Sequence, residues 1–192
     1  MVMTMKRLYF LLLILFVSPN VLADDYKLEP VHTQILFFGD HLGFSKSQGE
    51  FLQFDGTFSF DPENPKASIV QVTIQTSSID MDNQKWNDHM MNEDFFDVEK
   101  FPTMTFKSTH VENISENNMD IVGDLTMLDV THHVTLKVTH NKSGVHPFSG
   151  KYIAGFSATT TIKRSMFGMT YGLPALGDDI EVRLEVEGIK TN

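Results

Sequence analysis

The chain has 192 residues, with 15 Lys and Arg against 25 Asp and Glu, and therefore a formal net charge of −10 at pH 7. A surface of this sign repels polyanions, so nucleic acid and anionic membrane surfaces are poor partners. The sequence contains no cysteine, so we expect a fold without disulfides and without a lipid attached through a cysteine thioether.

The first element in chain order is a predicted secretory signal peptide over residues 1–23. A basic start at Lys6 and Arg7 precedes an apolar run over 8–17, and the small-residue exit ends at Ala23. The run of about ten residues is too short for a bilayer, which needs roughly 20. Cleavage after Ala23 predicts a single domain over 24–192, a net charge near −12 once Lys6 and Arg7 are removed from the −10, and a soluble protein of the bacterial periplasm.

The remaining chain reads as successive β-strands with one apolar and one polar face. Phe54, Phe58 and Phe60 alternate with polar residues, and Val70 and Ile74 do the same. Further alternating segments lie at 104–107, 119–127, 130–138, 156–162 and 180–186. With the segments 26–29 and 32–38 these make eight or nine predicted strands. Turn residues at 61–65, 116–118 and 141–144 separate consecutive strands, which predicts an antiparallel meander closed as a barrel or folded as a sandwich.

Two stretches depart from the alternating pattern. Asp82 is predicted to cap a short helix over 83–92. The spacing of this helix places three residues on one face: Trp86, His89 and Met90. The second stretch, 164–177, carries large apolar residues among glycines. Both are too apolar for ordinary surface loops, so we expect them to fold over an opening or to plug one end of a barrel.

Catalytic motifs are nearly absent. The segment 155–159 fails the G-x-S-x-G pattern at Thr159 and lies in a predicted strand, and there is no cysteine nucleophile, P-loop or dinucleotide glycine motif. Asp94, Asp97 and Glu99 cluster near the predicted helix, which keeps a paired-carboxylate hydrolase open as an alternative to a solvated acidic loop. We predict no enzyme.

The histidines do not form a known metal motif. His132 and His133 are adjacent on a strand and so point to opposite faces. A site that joins His89, His110 or His146 from separate strands remains open, although histidines with ordinary hydrogen bonds are expected more often. We predict no metal and no cofactor.

The apolar face is unusually rich in soft and aromatic residues, with 16 Phe and 11 Met in the whole chain. This composition suits a packed core, and it equally suits a barrel that encloses one slender apolar ligand, because methionine adapts its shape. An outer-membrane barrel would carry aromatic girdles at both rims, whereas this chain has one Trp and four Tyr.

A series of motifs in one order resembles the YceI-like family. The opening Tyr26-Lys27-Leu28-Glu29-Pro30-Val31-His32-Thr33 is similar to that family's Tyr-x-Leu-Asp-x-x-His-Ser, with Glu29 and Thr33 as departures. The later matches are His41 with Gly49-x-Phe51, Ser78-Ile79-Asp80, Asp88-His89-Met90, Asp94-Phe95-Phe96-Asp97, Phe101-Pro102-x-x-x-Phe106-x-Ser108, Gly123-Asp124-Leu125-Thr126, Val130-Thr131, Arg164-x-x-Phe167-Gly168 and Asp178-Asp179-Ile180. A third departure is Leu128-Asp129, which precedes the Val-Thr pair.

The resemblance implies an all-β fold: an extended antiparallel eight-stranded β-barrel, lipocalin-like, with a short helix over one end. It also implies a long-chain isoprenoid or related amphiphilic lipid in the lumen, carried or sequestered without catalysis. We expect the tail among inward residues of the strands: Phe54, Phe58, Met104, Phe106, Leu125, Val134, Leu136, Phe156 and Ile162. Trp86, Met90 and Phe167 would close one end, and Arg164 and His89 would donate to a polar or phosphate head.

Two further expectations accompany this hypothesis, and two alternatives stay open. Family members are often dimers, which makes a homodimer possible, and no stable insertion into a membrane is expected. The alternatives are a hydrolase that acts on a lipid head group and a ligand-free stress-response interaction module.

Overall fold

The computed structural model of this protein describes residues 23–191. All of the predicted signal peptide except Ala23 therefore lies outside the described residues. Within the described part, one α-helix and three short 3₁₀ turns accompany eleven β-strands. The strands are β1 Asp24–Leu28, β2 Gln34–His41, β3 Ser45–Phe51, β4 Phe54–Phe60, β5 Ile69–Gln75, β6 Ile79–Asp80, β7 Thr103–Glu112, β8 Asn118–Met127, β9 Val130–Val145, β10 Tyr152–Lys163 and β11 Leu176–Lys190.

The strands form one closed antiparallel barrel. Its ring runs β1-β4-β5-β7-β8-β9-β10-β11, and β11 pairs again with β1, so eight strands close the sheet. The strands β2, β3 and β6 are next to β1, β4 and β5 in the chain, and they pair in the matching order, β2 with β3 and β3 with β6. They therefore extend β1, β4 and β5 beyond bends. The predicted extended antiparallel eight-stranded barrel is confirmed, and the larger strand number reflects these bends.

The bend between β1 and β2 is held by a polar latch that the opening motif supplies. The Glu29 amide donates to the Glu187 carbonyl at 2.8 Å, and the amide of Glu187 donates to Thr33 Oγ1 at 3.1 Å. The Glu29 carboxylate accepts from the His32 amide at 2.8 Å and lies 2.9 Å from His32 Nδ1. Burial opposes ionisation of Glu29, but the hydrogen bonds from His32 and Val31 outweigh it and lower the pKa of Glu29. Because of this latch, β11 pairs with β1 through its last residues, 188–190, and with β2 through its earlier residues, 176–185.

The interior divides into two clusters. At the end that contains the start of β1 and the end of β11, aromatic rings interlock, and we call this the aromatic end. Tyr26 stacks on Phe58 at 4.8 Å between ring centroids, and Phe156 meets the edges of Phe58 and Phe60 at 5.4 and 5.0 Å. Gly188 makes room for this packing, since a Cβ there would lie 2.3 Å from Phe58 Cε1.

The opposite end of the barrel is rich in methionine. Met81, Met104, Met127 and Met169 are buried there, and four phenylalanines surround them: Phe51, Phe95, Phe96 and Phe167. Thioether side chains bend to fill irregular space, so this methionine-rich end can repack more easily than the aromatic end.

The helix α1, Gln84–Met91, lies in the excursion between β6 and β7. Its N-cap is Asn83, whose side chain accepts from the amides of Lys85 and Trp86. The predicted cap at Asp82 is wrong by one residue. Asp82 has a left-handed backbone (φ 56°), whereas Asn83 has the extended conformation that an N-cap adopts.

Candidate functional site

A cavity of about 520 Å³ lies inside the barrel. Strand alternation builds it, because every second residue of a strand points to the lumen. On β10 the lining residues Phe156, Ala158, Thr160 and Ile162 follow this period. These positions span six residues, or about 20 Å along an extended strand. The cavity is therefore long and narrow, and it runs past both core clusters.

Most of the residues predicted to contact a ligand lie on this cavity. Its lining includes Phe58, Trp86, His89, Met90, Met104, Phe106, Leu125, Val134, Leu136, Phe156, Ile162 and Arg164. Phe54 and Phe167 lie elsewhere. Phe54 is half-buried and packs against both clusters, while Phe167 is buried and meets the His132 ring at 5.1 Å. Ligand contact by all fourteen residues stays a prediction.

Sequence reasoning missed part of the lining. Several large apolar or aromatic residues also face the cavity: Ile35, Phe37, Phe51, Phe95, Phe96, Tyr171 and Leu184. The sequence pattern predicts a strand that contains Ile35 and Phe37, but the run Leu36-Phe37-Phe38 obscures which face is apolar. The alternation of Ile180, Val182, Leu184 and Val186 does carry the signal for Leu184.

The cavity reaches solvent beside α1, at a site we call the mouth. Trp86, His89 and Tyr171 line the cavity and are also partly exposed. Their rings and that of His41 form two pairs: Trp86 lies 6.0 Å from His41, and His89 lies 5.1 Å from Tyr171. His89 and Trp86 share one face of α1, as predicted. The helix and the segment 164–177 therefore meet at one end of the barrel, as the sequence pattern indicated.

Arg164 is buried and bonded to the backbone. Its guanidinium donates to three carbonyls: Gly177 at 2.8 Å, Met169 at 3.0 Å and Leu176 at 3.2 Å. Burial lowers the pKa of Arg164, and the nearby Asp178 carboxylate partly offsets this effect. Asp178 itself accepts from the amide and hydroxyl of Ser165. The arginine thus organises the loop over the mouth.

The other predicted head-group donor, His89, also has a partner. Its Nε2 lies 3.0 Å from Asp94 Oδ2, and its ring packs against Phe95 at 5.0 Å. The mouth also contains Asp40. Its local charge is therefore neutral to negative.

The histidines considered for a metal lie apart. His110 Nε2 lies 3.6 Å from Glu112, and His146 Nδ1 accepts from the Ser149 amide. In residues 23–191, the one group of three potential metal ligands with close atoms is the latch of Glu29, His32 and Glu187, within 4.8 Å. Because its hydrogen bonds already hold the β1–β2 bend, we assign it a structural role.

The described helix is too short and too polar to cross a bilayer, and no other helix of residues 23–191 meets the requirement.

Known proteins share this barrel. A model of the YceI-like domain matches residues 26–188. The "UPF0312 protein" of Pseudomonas aeruginosa (strain LESB58) is 40% identical over 178 residues, which cover 92% of each chain. The crystal structure of BcnA from Burkholderia cenocepacia aligns with a TM-score of 0.76 and 22% identity, over 83% of this chain and 98% of that one.

A more distant structure carries a functional description. It is titled a polyisoprenoid binding domain from Saccharophagus degradans, implicated in plant cell wall breakdown. It aligns with a TM-score of 0.68 and 12% identity, over 88% of this chain and 99% of that chain. At these identities the two structures establish the fold.

Proposed function

The chain belongs to the YceI-like family, and from this premise we propose that it carries or sequesters a polyisoprenoid or similar long-chain amphiphile in its lumen, without turnover. The observation that carries the proposal is the long apolar cavity, lined from Phe58 near the aromatic end to Trp86 at the mouth. The Saccharophagus domain, which has the same fold and is described as binding polyisoprenoids, supports the same class of cargo.

The physics of such a site needs little polar recognition. Burial of apolar surface contributes about 25 cal/mol per Å². A chain of isoprene units presents apolar surface along its whole length, so a lumen of about 520 Å³ is sufficient to hold a substantial segment. Methionines such as Met104 and Met90 adapt to the methyl branches.

The mouth favours a cargo with an uncharged polar head. The buried guanidinium of Arg164 already donates to three carbonyls, and His89 faces Asp94. Asp40 adds a carboxylate to the same lining. Among the residues that line the cavity, a phosphate would meet a carboxylate and no Lys or Arg other than the bonded Arg164, whereas a hydroxyl or a carbonyl needs no counter-charge. The proposal therefore includes a preference for a polyprenol or a quinone over a polyprenyl phosphate.

Export is part of the proposal. The predicted signal peptide over 1–23 and the chain without cysteine are consistent with a periplasmic carrier. The proposal includes no stable membrane insertion, and it is compatible with a homodimer.

Mass spectrometry of the protein purified from the periplasm tests this function. Native spectra should show a stoichiometric adduct, and organic extraction should release a lipid with isoprene spacing. Phe106→Asp should strip the adduct, because its carboxylate would be buried in the lumen. Thr160→Phe should also strip it by filling the lumen without adding charge, and the exposed Phe148→Asp should retain it. A clean apo mass with no uptake of added polyprenol or quinone would overturn the proposal.

A further inference from the structure

The mouth is surrounded by apolar side chains that face solvent. Phe44, at the turn between β2 and β3, is 88% exposed, and Leu42 in the same turn is 47% exposed. Trp86 and Tyr171 are 43% and 44% exposed. We call these four residues the mouth rim.

The rim is one continuous surface. The Phe44 amide donates to the carbonyl of His41 at 3.0 Å, and the His41 ring lies 6.0 Å from Trp86. Trp86 and His89 lie three residues apart on α1, and His89 contacts Tyr171. The exposed apolar groups of the β2–β3 turn, of α1 and of the loop 164–177 therefore lie around the same opening.

We propose that the mouth rim docks on the surface of a zwitterionic lipid bilayer, where the barrel loads or releases its cargo. This inference rests on the proposed function, because a lipid cargo must pass between a membrane and the cavity that Trp86 and Tyr171 line. Tryptophan and tyrosine suit the bilayer interface, since one part of each ring system is apolar and the other is polar.

Charge decides which lipid surface fits. Asp40 lines the cavity at the mouth, and α1 and the turn that follows it carry Asp88, Glu93 and Asp94 against one lysine, Lys85. These carboxylates oppose an anionic surface. Insertion of Phe44 and Leu42 needs no charge, so a zwitterionic bilayer is the favoured partner and the binding should depend little on salt.

The chain provides a matched surface at its other end. Phe148, in the turn between β9 and β10, is 93% exposed and lies between Lys142 and Lys151 in the sequence. The segment 141–152 around this turn contains no Asp or Glu. This basic turn lies away from the mouth. Phe148 is therefore a matched control for Phe44, because both are phenylalanines of similar exposure.

Vesicles of phosphatidylcholine and phosphatidylethanolamine, prepared without isoprenoid, provide the direct assay. Trp86 is the sole tryptophan of the chain and reports on the rim. We expect co-flotation, a blue shift of its emission and quenching by brominated acyl chains. Phe44→Asp should weaken partitioning about tenfold or more, because it replaces an apolar ring that enters the bilayer by a charged carboxylate. Phe148→Asp should partition like the wild type.

Two readouts separate docking from cargo binding. Thr160→Phe, with its lumen filled, should still float with vesicles, whereas purified Phe44→Asp should still take up polyprenol or quinone added directly to it, as mass spectrometry would show. Circular dichroism should show that both variants are folded. A wild-type protein that carries its cargo but does not float with vesicles would overturn this inference alone.

Other outcomes also overturn the docking proposal. Binding only to anionic vesicles, abolished by Phe148→Asp, would place the lipid contact at the basic turn. A dimer by light scattering that Phe44→Asp dissociates, without vesicle binding by the wild type, would show that a second copy covers the rim.

Discussion

The two ends of the barrel are packed with different types of side chain. At the aromatic end, Tyr26, Phe58, Phe60 and Phe156 interlock with ring centroids 4.8–5.4 Å apart. At the methionine-rich end, side chains such as Met104 and Met127 pack beneath a helix and a loop. Aromatic pairs have preferred geometries, whereas thioether chains adopt many shapes at similar energy.

This difference suggests a division of roles between the two ends. The aromatic end lies where β1 and β11 close the sheet, so its packing stabilises the barrel. The methionine-rich end adjoins the mouth, where a site for a flexible cargo must adapt. Arg164 is the exception there, because it fixes one loop through three hydrogen bonds.

The largest effect should follow from breaking the aromatic end. Phe156→Ala removes a buried ring that contacts Phe58 and Phe60. We expect the free energy of unfolding to fall by about 3–5 kcal/mol, measured by urea denaturation. Phe148→Ala, in the preceding turn and exposed, should change it by less than about 0.5 kcal/mol. A similar loss for both variants would contradict the assigned role of the ring cluster.

The next largest effect should come from the loop over the mouth. Arg164→Lys leaves an ammonium that cannot reach the three carbonyls in their present directions. Unpaired carbonyls should cost about 1–3 kcal/mol. Hydrogen exchange should show selective loss of protection in residues 164–177. Lys151→Met, at an exposed cation away from this loop, should leave protection there unchanged, and equal effects of the two variants would argue against the role of Arg164.

A smaller effect should distinguish two inward neighbours on β7. Met104 belongs to the methionine-rich cluster, and Phe106 to the aromatic one. Met104→Leu should cost less than about 1.5 kcal/mol, because it conserves volume in an adaptable site. Phe106→Leu should cost more, since the ring packs so closely on Gly123 that a Cβ there would lie 2.5 Å from Phe106 Cζ. Thermal denaturation of both variants measures the difference between the two losses of stability. A larger loss for Met104→Leu than for Phe106→Leu would contradict the distinction between the two ends.

The smallest predicted effect concerns pH at the aromatic end. Burial lowers the pKa of His140, which packs against Phe60 and Phe156. As pH falls below the ordinary histidine value of about 6.5, the unfolded chain takes up a proton that the folded chain still excludes. Stability therefore decreases from pH 6.5 downward, until the pH passes the lowered folded pKa.

His140→Gln should reduce this slope, because it removes the titrating ring and keeps a polar group near Ser143. Urea denaturation at pH 7.5 and at pH 5.5 measures the change for both proteins. The other histidines are common to the two, so their contributions cancel. Identical slopes would show that His140 does not control this dependence.

Much of the barrel could be predicted from the sequence. The alternation on β4, β5, β10 and β11 depends only on each strand having one buried and one wet face. The bends were not predictable in this way. Glu29 and Thr33 hold the β1–β2 bend through partners on β11, more than 150 positions away in the chain.

The candidate site was predicted unevenly. Inward residues such as Phe106 and Leu136 follow from alternation, and both line the cavity. The role of Arg164 did not follow, because a sequence shows a cation but not the carbonyls of Gly177, Met169 and Leu176 around it. Asp82 and Asn83 are both good capping residues, and the backbone conformation decided between them.

The sequence by itself determined the strand pattern and the apolar character of one face, since both are properties of neighbouring residues. Only the tertiary structure decided that this face encloses a cavity of about 520 Å³ and that the cavity opens beside Trp86. Closure of the sheet brings distant strands together, and it leaves between them whatever space their side chains do not fill.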